Sequence, residues 1–184
     1  MLVIVDVDDP NNTVQIGSQV WMKENLKTSK YQNGDPITGW SFYNSLAQYN
    51  ADYGKLYDFA TVADIRKVCP IGFHVPSQID WDNLFSALGG NSVAGGKMKE
   101  AGTAHWAATN VGADNSSGFT ALPGGRRADD GTYAALTYNA IWWSSTDFPS
   151  TPNALYYSLF NSTTTTFNTG ISKSYQMSIR CIKD

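Results

Sequence analysis

The chain has 184 residues, a net charge of −3, 42% hydrophobic residues and 16% charged ones. That length forms one domain with a sizeable core, and that balance excludes an intrinsically disordered polymer. It also excludes a basic face for nucleic acid or anionic membrane, because neutralising phosphates needs clustered Lys and Arg and the basic pairs are only Arg66-Lys67 and Arg126-Arg127.

Met1 to Val5 is apolar but too short for a signal h-region, and Asp6, Asp8 and Asp9 follow it. No apolar run reaches the 18 residues of a membrane helix. Val14 to Trp21 alternates around a turn and predicts a hairpin. Asn33-Gly34-Asp35-Pro36 is a turn. Ser41 to Tyr53 reads as short helix or loop, Tyr57 to Val62 as β-prone, and Cys69 to Pro76 as extended and broken by prolines. Ser77 predicts the clearest helix. It is an N-cap with Asp80 three residues on, Trp81, Leu84, Phe85 and Leu88 follow at i, i+3, i+4, i+7, and Gly89-Gly90 ends the pattern. A second short helix is placed near Gly95 to Ala101, and Gly102 to Gly118 is an irregular loop around Trp106. Phe119 to Gly125 leads to a turn at Asp129-Asp130-Gly131. Short strands then follow at Ala140 to Ser145, Ala154 to Phe160, Thr164 to Asn168 and Met177 to Ile182.

Cys69 and Cys181 lack CxxC spacing, so they are either two buried thiols or one disulfide. Joined, they would indicate an oxidising location. His74 sits between Phe73 and Val75 and His105 beside Trp106; each is read as structural, and no G-x-S-x-G elbow accompanies them. Asp6 to Asp9 and Asp129-Asp130-Gly131 are acidic turns, read as solvated and not as calcium loops, which need six to eight oxygens. Ala94-Gly95-Gly96-Lys97 and Leu122-Pro123-Gly124-Gly125 lack the Walker spacing.

Ile141 to Tyr175 stands apart. Of its 35 residues eight are aromatic and seventeen are Ser, Thr or Asn, with only Asp147 and Lys173 charged. Rigid rings among short polar groups make a contact surface at low entropic cost, whereas catalysis would need titratable groups.

A set of motifs runs in order along the chain: Ile16-Gly17 with Gln19-Val20-Trp21-Met22, Glu24-Asn25-Leu26, Tyr53-Gly54 with Leu56-Tyr57, and Cys69-Pro70 with Gly72 to Ser77 and Trp81. Ala94 to Lys97, Gly118-Phe119, Ala121 to Gly125, Trp142 to Thr146 and Ser178 to Cys181 complete it, covering about residues 12 to 184. In these motifs the chain resembles the Fibrobacter succinogenes major paralogous domain. The resemblance implies an α+β, C-type-lectin-like fold of the formylglycine-generating-enzyme type, with small antiparallel sheets, one or two helices and many loops. It implies one domain over 1–184, with 1–11 as an extension and 126–176 as the ligand-display region. It also implies similarity to the variable proteins of diversity-generating retroelements. Departures from the family pattern fall at Ile141, Leu155, Tyr157-Ser158 and Gln176-Met177, while the frame motifs are kept.

The expectation is non-enzymatic binding of a protein or glycan at a cell, secreted or virion surface, without cofactor, metal, nucleic acid or membrane insertion. The alternatives are a surface lipoprotein adhesin without diversification, or an enzyme of the formylglycine-generating type. The expected ligand residues are Tyr138, Asn139, Ile141, Asp147, Phe148, Leu155, Tyr157, Phe160, Asn161, Phe167 and Tyr175.

Overall fold

A computed structural model describes residues 8–148 and 151–184; the early apolar stretch, Asp6 and Pro149-Ser150 lie outside it. The predicted hairpin is present as β1 (Thr13–Ile16) and β2 (Gln19–Met22). Strand β3 (Trp40–Ser41) pairs with β4 (Leu56–Tyr57), and 3-10 turns and the short helix α1 (Asn50–Tyr53) lie between them.

The β-prone reading of Tyr57 to Val62 is corrected beyond Tyr57. Asp58 takes an extended N-cap conformation and accepts from the Thr61 amide at 2.9 Å, which starts helix α2 (Phe59–Val62). After β5 (Phe73–His74) comes the predicted helix, α3 (Gln78–Ala87). Its capping box is complete: Ser77 Oγ accepts from the Asp80 amide, and the Asp80 carboxylate accepts from the Ser77 amide at 2.8 Å. Helix α4 (Asn91–Met98) starts four residues before its predicted place, at the Gly90 cap. Lys97 in its last turn donates to the Leu88 carbonyl, closing the end of α3 at 2.8 Å.

The rest is β: hairpin β6 (Gly124–Arg127) with β7 (Tyr133–Leu136), then β8 (Asn139–Asp147), β9 (Asn153–Phe160), β10 (Thr166–Ser172) and β11 (Ile182–Lys183). One sheet has the order β1-β2-β11-β5 and another β10-β9-β8, each antiparallel. The class is α+β, with small antiparallel sheets, few helices and many loops. Of the last predicted strand only its end is a ladder; Met177 and Ser178 make single bridges to Tyr57 and Trp142.

The main core forms where α3 lies on one face of the β8–β9 sheet. Trp81, fully buried, is its centre: the Tyr157 ring stacks on it at 5.1 Å, and Trp21, Trp142, Phe85 and Phe119 surround it. Three frame motifs that are distant in sequence meet beside it. Asn25 Oδ1 accepts from Trp142 Nε1 at 2.8 Å and from Arg180 Nε and Nη2 at 3.1 and 2.8 Å. The Arg180 guanidinium lies 4.4 Å from the Phe119 ring, and burial pulls its pKa down to about 9. Cys69 and Cys181 are joined in a disulfide, with both residues buried.

Candidate functional site

Strand parity divides the C-terminal segment. In β9, Leu155, Tyr157 and Leu159 face α3, so Ala154, Tyr156, Ser158 and Phe160 face the other way. The register carries this second face across the sheet: Asn139 lies opposite Phe160, Ile141 opposite Ser158 and Trp143 opposite Tyr156. On the other side Phe167, Thr169 and Ile171 lie opposite Ser158, Tyr156 and Ala154.

Near β8 this face is covered. Phe59 of α2 and Met177 pack with Ile141, Trp143 and Ala154. Toward β10 it opens. The Phe160 and Phe167 rings meet edge to face at 4.9 Å, Phe167 is 45% exposed and Thr169 is exposed. Asn139, Tyr156 and Ile171 are half-buried around them.

At the other end a cleft of about 650 Å³ runs between α2, β6 and the segment after β10. Asp58, Phe59, Arg127, Asp147, Lys173 and Gln176 line it. Lys173 bridges the cleft, with Nζ 2.7 Å from Asp147 Oδ1 and 5.5 Å from the Phe59 ring. Tyr175 is half-buried nearby, under the Arg126 guanidinium at 5.5 Å.

The eleven expected residues separate on this geometry. Asn139, Phe160 and Phe167 share the open face, and Tyr138, 56% exposed, marks its rim. Asp147 and Tyr175 belong to the cleft end. Phe148 is half-buried against the main core, its ring over Gly170. Asn161 donates to the Ala107 and Ala108 carbonyls, at 3.4 and 3.2 Å, and ties down the long loop.

The display reading is corrected for three positions. Ile141, Leu155 and Tyr157 are buried, at 2, 5 and 1% exposure. Ile141 packs under Met177, Leu155 faces the main core, and Tyr157 stacks on Trp81 with its hydroxyl 3.4 Å from Asp82. Burial pushes the Tyr157 hydroxyl up to about 12, so it stays a neutral core group. Sequence reasoning missed Tyr156, Thr169, Ile171 and Lys173. No sequence signal marks Tyr156, because Trp142 and Trp143 are both buried and large groups stand on both faces of β9.

The histidines and the acidic turn at Asp130 have partners within the fold. His74 Nδ1 pairs with Asp184 at 2.7 Å, and His105 Nδ1 with Glu100 at 2.9 Å. Ser77 Oγ donates to Asp80 at 2.6 Å and so serves the helix cap. Asp130 Oδ1 accepts from the Thr132 amide and hydroxyl, closing its own turn. Among the described residues no helix is long and apolar enough to cross a membrane.

Fold and face together define an α+β scaffold domain with a sheet face left open at one side. Residues 14–183 match the Fibrobacter succinogenes major domain, and the chain belongs to that family. Neither curated proteins nor solved structures give a match.

Proposed function

We propose that the protein is a non-enzymatic binding domain whose open β9–β10 face, continued by the Lys173 cleft, takes a protein or glycan ligand. The observation that carries this is the Phe160–Phe167 ring pair on the sheet face, with Phe167 exposed and Phe160 half-buried beside Tyr156, ringed by Asn139, Tyr138 and Thr169. Aromatic anchors within a polar rim are the arrangement of interface hot spots.

The finer reading is a C-type-lectin-like fold used as a variable protein of a diversity-generating retroelement, or as a surface adhesin. It is supported by frame motifs that converge in the core while the segment between them carries the open face. A surface or secreted location is supported by the disulfide. An enzyme of the formylglycine-generating type is the weaker reading, since both sulfurs are bonded to each other and buried.

The test begins with glycan and protein arrays on the purified domain. Tyr156→Ala, Phe160→Ala and Phe167→Ala combined should weaken capture of the ligand found by roughly 30-fold or more. Unchanged capture by this variant, with its circular dichroism preserved, would assign the ligand to another face. A reverse transcriptase gene beside a near-copy of the 3′ coding end would separate the two settings.

A further inference from the structure

The C-terminal sheet has two edges, and they are treated differently. At the β8 edge the Trp143 amide donates to the Ser178 carbonyl, so the last segment of the chain covers it. Strand β10 ends the sheet at the other side, and among the described residues no strand or bridge pairs with its outer edge. The direction of its backbone groups follows from the ladder. Lys173 N donates to Pro152 O, which continues the β9–β10 register. Bonding therefore alternates so that Phe167, Thr169 and Ile171 bond inward to β9, while Asn168 and Gly170 direct their N–H and C=O outward.

Natural edge strands are usually blunted by charge, proline or a bulge. Thr166–Ser172 reads TFNTGIS, without charge or proline, and its pairing with β9 runs without a register shift. The strand is also self-complementary about Thr169. Placed antiparallel to a second copy of itself, Asn168 meets Gly170, Phe167 meets Ile171 and Thr166 meets Ser172, with Thr169 opposite Thr169. Aromatic with β-branched and Thr with Thr are favourable cross-strand pairs. Asn168 and Gly170 would exchange the hydrogen bonds that their outward groups offer.

We propose that the protein forms a two-fold dimer by antiparallel pairing of β10 with β10 of a second copy, centred on Thr169. The result is one six-stranded sheet. The open faces of both copies then lie side by side, with the row Tyr156–Thr169 continuing into Thr169–Tyr156 of the second copy. Two linked faces would give a multivalent target avidity without any new contact to the ligand. The dimer stands independently of the ligand reading, since its test needs no ligand.

The experiment is light scattering on the eluting full chain over a concentration series, with Thr169→Lys and Thr169→Cys beside the wild type. The wild type should reach twice the 20.1 kDa chain mass. Thr169→Lys opposes two like charges on the axis and should return the protein to a monomer with unchanged circular dichroism. Thr169→Cys should cross-link under mild oxidation, because directly opposed non-hydrogen-bonded pairs hold their Cβ atoms about 4.5 Å apart. Asn168→Cys, which faces Gly170, should not. A wild type monomeric at every concentration overturns the proposal. So does a dimer that survives Thr169→Lys, or one in which Thr169→Cys fails to cross-link.

Discussion

Lys99 shows how one buried charge can hold several loops. It is fully buried, and its Nζ donates to the carbonyls of Val111, Phe160 and Thr163 at 2.9, 3.0 and 3.0 Å, above the Trp106 ring. Three carbonyl dipoles satisfy the ammonium, but burial still lowers its pKa from 10.5 to about 8. Between those values the unfolded chain holds more protons than the folded one, so stability should rise as pH climbs from about 8 toward 10.5. The upper bound is roughly 3 kcal/mol, at 1.36 kcal/mol per pKa unit. Lys99→Met removes that rise and leaves buried carbonyls unpaired, at about 2–4 kcal/mol near neutral pH. Urea unfolding of both proteins at pH 7 and 9.5 reads both effects, and parallel stability curves would remove Lys99 from this role.

Among the elements, α4 explains why Gly95-Gly96 is a frame motif and not a phosphate loop. A Cβ on Gly95 would stand 2.6 Å from the Thr164 carbonyl oxygen, and one on Gly96 2.5 Å from that of Gly112. Both obstacles are backbone, so neither can turn aside. Gly95→Ala should therefore cost about 1–3 kcal/mol although alanine favours helix; a rise in thermal midpoint would contradict the packing argument. Helix α3 was legible in the sequence because cap, period and stop agreed on one segment. The turn from β4 into α2 was not, because apolar residues continue across it and only Asp58 marks the change. The ring-rich C-terminal segment was legible in composition but not in facing. Ala154 to Phe160 carries bulk on both faces, so alternation gives no signal that half-buried Tyr156, and not buried Tyr157, lies on the open face. Departures from the family pattern misled further, since Ile141 and Leu155 also turn inward. The cleft was hidden for another reason: Asp58, Arg127, Asp147 and Lys173 meet only in the fold.

At the scale of the whole molecule, the last eight residues before Asp184 join the four sheets found among the described residues. Gln176 exchanges hydrogen bonds with Arg127 of β6, and Met177 with Tyr57 of β4. Ser178 accepts from Trp143 of β8, and Cys181 accepts from Met22 of β2. The disulfide fastens this segment to Cys69 across 112 positions of chain. Closing so long a loop restricts the unfolded ensemble, by roughly 4–5 kcal/mol in the loop-entropy view. In a domain of this size each kcal/mol moves Tm by about 2–4 °C, so reduction should lower it by about 8–20 °C. Calorimetry with and without reductant, repeated on Cys69→Ala/Cys181→Ala, checks this, since the variant should melt like the reduced wild type and ignore reductant. Because the segment serves every sheet, the loss should come as one cooperative transition. A separate early melt of the β8–β10 sheet would mean instead that the open face rests on a unit the disulfide does not hold.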